Sequence, residues 1–506
     1  MLEAPVVATD VLIVGAGPSG LMAAVCLARL GVDVTIVDGK SEPTRESRAL
    51  ALQARSMELL DQIGLVDSVL AECDSAPQIV PGYRDRAFRP VSFAGFGLTL
   101  TPYPGIHMLE QSRTERILCD GYRAQGRDVL WRHELRELRV RERPEHPVDA
   151  TLSTPDGTVR IRARWVIGAD GASSAVRDLL GIAFEGTTNP LRFSVADARG
   201  VEGLVEHSVN MRVSRDYFVL GFPMGAAGHH RILGTVDEHE SEHELEEGVR
   251  ARLEAEFDIR YAESTWFSSY RVHHRLAAQF RQGPVFLVGD AAHVHSPVGA
   301  QGMNTGLQDA HNLACKLADV LAGRREPGSL ERYEAERRPV ARRLVQSTDA
   351  LFARITSSSR LARFARDRVI PAIAPLAVRL VPALVGTERL YGYLAQLRIH
   401  YWMAAEQPGR RRGRRGRVVG RRLAWTGDNF EVLRAMTWQV HGYGVAPASV
   451  NATAAALGVD PHTFEPDPHR RLDPRLLYLV RPDGFVAAAA PPDDALDRFG
   501  SHLRSA

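Results

Sequence analysis

The chain has 506 residues, which by length is room for about three domains and a large buried core. Its 25% charged and 44% hydrophobic residues are the balance of a globular protein, not of a disordered or membrane-embedded one, and a net charge of +2 argues against a dedicated nucleic-acid binder. Four scattered cysteines, Cys26, Cys73, Cys119 and Cys315, form no C-x-x-C pair, which argues against a redox dithiol or a cysteine zinc site.

The opening MLEAPVVATD has an acid at position 3 and no basic n-region or long apolar run, so no secretory signal is read and a cytoplasmic location is expected. Thr9 to Val14 is β-branched and aliphatic and predicts a strand. It ends in VLIVGAGPSG, whose glycines Gly15, Gly17 and Gly20 have the spacing G-x-G-x-x-G. Leu21 to Leu30 then reads as a buried helix closed by Gly31, and Val34 to Val37 as a second strand ending in Asp38. This is a right-handed βαβ unit with its loop at the carboxyl ends of the strands. The glycines serve a tight turn, a close backbone approach to a pyrophosphate, and helix-to-strand packing. Asp38 lies eighteen residues past Gly20, close to the roughly twenty expected for an acid that binds a ribose hydroxyl.

Val129 to Val140 and Ala150 to Arg164 alternate as a β meander, followed by a short aliphatic strand, Trp165 to Ile167, that runs into GADGASSAVR. A further strand, Val285 to Val288, delivers Asp290. A helix begins near Gly302, with an apolar stripe Met303, Leu307, Ala310, Ala314, Leu317 and Leu321 and unpaired backbone N–H groups at its N-terminus. Two late strands ending in Gly-Ala-Asp and Gly-Asp suggest one nucleotide-shaped ligand touched from several points. His293 and His295 form H-x-H, but no third ligand is evident, so loop hydrogen bonding is expected and no metal site is assigned.

From Ser329 a charged amphipathic helix begins, and helical pattern continues to about Leu397. The apolar stretch Val369 to Val385 is broken by Arg379 and by Pro371, Pro375 and Pro382, and predicts a broken helix in the core or at a subunit contact, not a membrane span. Gly409 to Arg422 reads as a solvated arginine-rich linker. Beyond it, strand-like RLAW, an alanine-rich helix near Asn451 to Leu457 and a hairpin LLYLVRPDGFVAAAA predict a small α/β domain.

The G-x-G-x-x-G motif, Asp170-Gly171 and Gly289-Asp290 occur in an order and spacing that resembles the group A flavoprotein monooxygenases, the para-hydroxybenzoate and phenol hydroxylase superfamily. ALALQARSMELL, YEAERRPVARRL and LVRPDG are most similar to its aromatic polyketide hydroxylases and rifampicin monooxygenases. The resemblance covers most of the chain. The fold it implies is α/β. A Rossmann-type FAD-binding domain comprises residues 1–75, 100–183 and 280–345, and an interleaved β-sheet substrate domain comprises 76–99 and 184–279. A helical segment and linker spans 346–409, and a thioredoxin-like C-terminal domain without redox cysteines spans 410–506.

Carried over by position, the resemblance gives the adenosine half of FAD to Gly15, Gly17, Pro18, Ser19 and Gly20, with Asp38, Gly39 and Lys40. Arg48 matches the arginine near the pyrophosphate, and Gln111 the glutamine beside the ribityl chain. Asp290 falls to the ribityl or pyrophosphate region, and Gly302, Met303 and Asn304 to the isoalloxazine. Ala300 in PVGAQG replaces a family glycine, adding a methyl group where the flavin ring approaches. Asp170 resembles an aspartate with a structural and pyridine-nucleotide role.

The activity implied is hydroxylation of a multi-ring aromatic, polyketide-like or antibiotic, by dioxygen through a flavin C4a-hydroperoxide, with NADPH or NADH as transient reductant and no protein nucleophile. A flavoprotein that binds or sequesters such a compound with little turnover, and a Baeyer–Villiger or epoxidising oxygenase on the same scaffold, are the alternatives. Candidate substrate residues are Tyr217, Phe218, Phe222, Pro223 and Pro297, of which the first four sit on expected strands and face either ligand or core. No nucleic-acid or membrane partner is expected; monomer and homodimer both remain open.

Overall fold

The computed structural model describes residues 6–44, 49–93, 95–142, 145–225, 227–236, 245–295, 301–356, 359–376, 387–401 and 418–504. Its first layer is an eight-stranded sheet, five of whose strands run parallel in the order Val285–Leu287, Gly157–Gly168, Val6–Val14, Val34–Asp38, Leu130–Trp131. At the centre of the sheet the strands are aliphatic and lose water on both faces, as parallel sheets require: Val11, Leu12, Ile13, Ile36, Val37, Val166 and Ile167 are fully buried or nearly so, whereas Val6 and Val7 at the start of the first strand are exposed. The helices Pro18–Arg29 and Gly302–Leu321 pack side by side against this sheet and share one core with it.

The meander expected before the Trp165 strand is one continuous element with it. The first half of Gly157–Gly168 pairs antiparallel with Val148–Thr154, and its last residues pair parallel with Val285–Leu287. A single twelve-residue strand thus changes neighbours along its length.

The second layer is a nine-stranded sheet built mainly from Phe184–Arg199, Val209–Val213, Phe218–Pro223, His230–Val236 and Glu263–Ala277, with strands from Gln78–Tyr83 to Val91–Ser92 added at one side. Its other edge is His293–Val294, which pairs with Glu263–Ala277. That short strand joins the Gly289-Asp290 loop directly to the second sheet.

The C-terminal part carries a four-stranded sheet in the order Asp460–Phe464, Gln439–Tyr443, Leu477–Val480, Val486–Ala490, with helices Pro447–Leu457 and Pro492–Arg504. RLAW is not a strand; Arg422 makes only an isolated bridge to Phe485. This unit is tied to the rest through buried polar contacts. Arg481 donates to Glu336 at 2.6 and 2.9 Å, Asn312 to Asp483 at 3.1 Å, and Arg55 to the Asp483 carbonyl at 2.9 Å.

The expected core placement of the Val369–Val385 stretch is corrected over its described part: Ile373 and Leu376 are 55% and 56% exposed. The remainder from 377 lies outside the described residues, as do most of the arginine-rich linker, Arg48, Pro297 and Ala300. Among the described residues no helix is long and apolar enough to cross a membrane.

Candidate active site

The turn after the first strand is set by its glycines in three different ways. Gly15 has φ +104°, a left-handed conformation that side chains resist, and a Cβ there would overlap the Ala169 carbonyl oxygen. A Cβ on Gly20 would overlap the Gly15 carbonyl. Gly17 is in extended backbone at φ −78°, and a Cβ there would meet nothing within 4 Å. Two glycines are therefore demanded by the protein itself, and the third leaves open space.

That space belongs to a cavity of about 760 Å³. Gly17, Pro18 and Ser19 line it at the N-terminus of the Pro18–Arg29 helix, and Gln301, Gly302 and Met303 line it at the N-terminus of Gly302–Leu321. Neither helix has a side-chain cap, so both present free N–H groups and roughly half a positive charge each. The two ends lie close because Ser19 packs against Gly289 and Gly306, where any Cβ would strike its hydroxyl. Such a paired terminus is suited to a phosphate or another anionic group.

Asp38 stands at the cavity edge with Gly39 and Lys40. Its Oδ2 accepts from the Ala16 N–H at 2.7 Å and its Oδ1 from the Lys40 N–H at 2.8 Å, which fixes the carboxylate while leaving each oxygen a second lone pair. Gln111 begins the Gln111–Arg123 helix and also lines the cavity; its Nε2 donates to Glu115 Oε1 at 2.9 Å, and Glu115 Oε2 accepts from the Thr44 N–H at 3.0 Å. Asp290 sits on the turn Gly289–Ala291 with its side chain exposed in the wall. That turn is held from behind. Asp309, fully buried, accepts from the Gly289 N–H at 3.3 Å, lies 2.7 Å from His293 Nε2 and accepts from Arg337 Nε at 2.6 Å. Burial would raise the Asp309 pKa, but the Arg337 guanidinium and His293 outweigh it and hold the carboxyl below its usual range.

Two of the described expected site residues, Gly20 and Asn304, are not in the wall. Gly20 faces back into the turn. Asn304 is fully buried, its Oδ1 accepting from the Gln53 N–H and its Nδ2 donating to the Ala51 carbonyl, both at 2.8 Å, so it fastens the helix to a neighbouring segment. Asp170 is in the wall, but its carboxylate is occupied, accepting from Ser174 Oγ at 2.5 Å and the Val176 N–H at 3.0 Å at the start of the Ala175–Leu179 helix. Burial keeps its pKa above the ordinary carboxylate value despite those bonds.

Of the four described substrate candidates, only Phe222 lines the cavity. Tyr217 lies under Arg252, whose Cζ is 4.7 Å from the ring centroid, and packs with the helix Leu245–Phe257. Phe218 is 3% exposed in a core with Phe193 and Val272. Pro223 alternates to the face opposite Phe222, because neighbours along a strand point to opposite sides. Leu220, Arg231, Leu233, Tyr270, Arg271, Val272 and His273 on the strands of the second sheet do reach the cavity and carry no individual signal that singles them out in the sequence analysis. The period-two pairs Leu220/Phe222 and Arg231/Leu233 were the available signal.

A sequence profile described as an FAD binding domain matches residues 8–348. The chain is 31% identical over 521 aligned residues to a 12-dehydrotetracycline 5-monooxygenase/anhydrotetracycline 6-monooxygenase of Streptomyces rimosus, covering 98% of each. It is 33% identical to a rifampicin monooxygenase of Streptomyces venezuelae over 67% of this chain and 70% of that protein. The solved anhydrotetracycline hydroxylase from Streptomyces rimosus superposes with TM-score 0.77 at 30% identity over 98% of this chain and 99% of that one. An aklavinone-11 hydroxylase solved with FAD and aklavinone gives TM-score 0.75 at 25% identity, covering 98% of each. With its glycine turn, paired helix ends and second sheet in one cavity, the chain belongs to the FAD-dependent aromatic monooxygenases that share this FAD-binding domain.

Proposed function

We propose that the protein hydroxylates a multi-ring aromatic, of polyketide or antibiotic type, at the expense of NADPH or NADH and dioxygen. The observation that carries this reading is that an open glycine turn, two uncapped helix N-termini and an apolar sheet face all border one cavity of about 760 Å³. In this reading Gly17, Pro18 and Ser19 receive the pyrophosphate, Asp38 the adenosine ribose, Gln111 and Asp290 the ribityl region, and Gly302 with Met303 the ring. Held by these residues, FAD would supply the acceptor for a nicotinamide hydride and the activation of dioxygen. The balance is one NAD(P)H, one proton, one O₂ and one aromatic C–H in, with NAD(P)⁺, water and the phenol out.

The chain itself contributes position, field and dryness. The Gly302 helix end favours negative charge on a ring laid against it, and backbone donors fixed beforehand need no reorganisation. Leu220, Phe222, Leu233 and Val272 offer an apolar floor for a flat substrate and exclude water from the reacting face. The His293–Asp309–Arg337 chain keeps the Asp290 turn in place. We read residues 410–506 as a thioredoxin-like brace; its support is the set of buried contacts to Glu336, Asn312 and Arg55 and the lack of any cysteine there.

Purified protein is expected to be yellow, to retain FAD, and to consume NADPH or NADH faster when a suitable polycyclic aromatic is added, with a product heavier by one oxygen atom. Colourless protein that cannot be reconstituted with FAD, or cofactor consumption indifferent to every aromatic of a broad panel, overturns the proposal.

A further inference from the structure

One helix of this molecule is turned inside out. Residues 360–376 are helical, with a widened turn at Ala365–Val369 that accommodates Pro371, whose ring and missing N–H oppose a regular turn. A surface helix ordinarily lays its apolar stripe on the core and leaves its charges in water. Here the charges are turned toward the body. Arg366, 5% exposed, donates from Nε to the Arg215 carbonyl at 2.8 Å, Arg363 Nε lies 2.6 Å from Asp216 Oδ1, and the Tyr83 hydroxyl donates to Asp367 Oδ1 at 2.6 Å. These three positions, spaced three and four apart from the first, share one face. Leu361, Phe364, Val369, Ile370, Ile373 and Leu376 are all exposed, Leu361 at 79% and Phe364 at 59%. Rolling that apolar side inward would break every one of the polar bonds that hold the helix.

Size and charge decide what covers the face. The six side chains together leave roughly 600 Å² in water, the upper end of what a monomer carries in one patch. Two such faces packed about a two-fold axis would bury about 1,200 Å², the lower end of a specific interface. Leu361 and Phe364, and again Ile370, Ile373 and Leu376, follow steps of three residues, one of the ridges by which helices pack on each other. An isologous contact needs only one such self-complementary patch. A lipid surface is the poorer match. Anionic membranes attract helices with clusters of about four to eight cations, and of the four arginines here Arg363 and Arg366 are spent on the protein, which leaves Arg360 and Arg368.

We propose that the outward face of residues 360–376 packs antiparallel on the same face of a second copy of this chain, so that the protein is a homodimer. The contact stands behind the turn Ser214 to Tyr217, which leads into the strand Phe218–Pro223 and its cavity residues Leu220 and Phe222. The dimer therefore backs one wall of the cavity, and its existence does not depend on the hydroxylase reading.

Sedimentation of the whole chain is expected to give twice the monomer mass, with a Kd on the order of 1–10 µM for an interface of this size. F364E/I373E, at two exposed positions, is expected to weaken association at least about hundredfold, because charges then meet within the contact, with circular dichroism and urea unfolding unchanged. A two-fold axis brings the middle of the row onto its own copy. Val369→Cys is expected to form an intermolecular disulfide under mild oxidation. Leu361→Cys is not, because its mate lies about 20 Å away along the paired helices and a disulfide needs Cα atoms within about 7 Å. This pair of variants decides the matter if F364E/I373E fails to fold. Three results overturn the proposal: wild type that is monomeric at about 100 µM, tenfold above the expected range; a dimer that F364E/I373E leaves intact; and a dimer that cross-links at Leu361→Cys as readily as at Val369→Cys. Monomeric protein that cosediments with vesicles of phosphatidylcholine and phosphatidylglycerol, and ceases to do so in F364E/I373E, overturns it in favour of a lipid surface.

Discussion

Gly17→Ala and Gly15→Ala separate a ligand cradle from a structural turn. At Gly17 the backbone is extended at φ −78°, which alanine adopts freely, and the added Cβ meets nothing within 4 Å. Apo-protein stability should therefore stay within about 0.5 kcal/mol of wild type, the range of a harmless substitution. The methyl group instead occupies space where a pyrophosphate must approach backbone N–H groups, and FAD affinity should fall at least about tenfold, or about 1.4 kcal/mol. At Gly15, φ is +104° and the Cβ overlaps the Ala169 carbonyl. A left-handed alanine costs about 1–2 kcal/mol, and overpacking adds about 1–3 kcal/mol. The apo protein should lose roughly 2–5 kcal/mol in total. Urea unfolding of the apo forms and titration of FAD fluorescence on binding measure the two quantities separately. FAD bound by Gly17→Ala as tightly as by wild type, or an apo stability loss equal to that of Gly15→Ala, refutes the reasoning.

Three further outcomes follow from other contacts. Glu336, 5% exposed, accepts from Arg481, Lys316 and Asn312, so Glu336→Gln removes the carboxylate paired with Lys316 and leaves Arg481 with Asp483 alone, and should cost about 3–5 kcal/mol in urea unfolding; a loss below about 1 kcal/mol would falsify the bracing role. Burial would raise the pKa of Glu336 and Asp483, but Arg481 and Lys316 prevail and hold both down, Glu336 well below the ordinary value. Their stabilisation is thus complete above the unfolded carboxylate range near about 4, begins to decline there, and is lost as pH falls on through the depressed folded values; melting temperatures that do not drop between about pH 6 and about pH 3, an interval that reaches below the unfolded range, contradict it. Phe222→Ala should raise KM for the aromatic substrate, whereas Tyr217→Phe, on a ring packed under Arg252, should leave KM unchanged. Equal effects of the two would show that the cavity face of the sheet has been misassigned.

Much of the glycine-turn end of the cavity was legible in the chain because its determinants are local. Gly15, Gly17, Ser19 and Asp38 belong to one βαβ unit of about thirty residues, and Gly302 and Met303 to one helix start. Asn304, one residue further along that helix, turns to the Gln53 and Ala51 backbone instead. No local pattern contains that contact, since its partners lie some 250 residues away in sequence.

What the amino-acid sequence determined by itself is therefore the alternation of strands and helices, the turn that three glycines impose, and the helix ends left without caps. Each depends on neighbouring residues and on backbone sterics. Only the tertiary structure decided which side of the second sheet faces the cavity, that Phe222 belongs to the wall while Tyr217 and Pro223 do not, that Asp170 spends its carboxylate on a helix start, and that Arg231 is locked against Asp197. Period-two alternation says which residues share a face. Which face meets solvent, core or ligand is settled by whatever distant segment packs over it, and that is a property of the assembled layers.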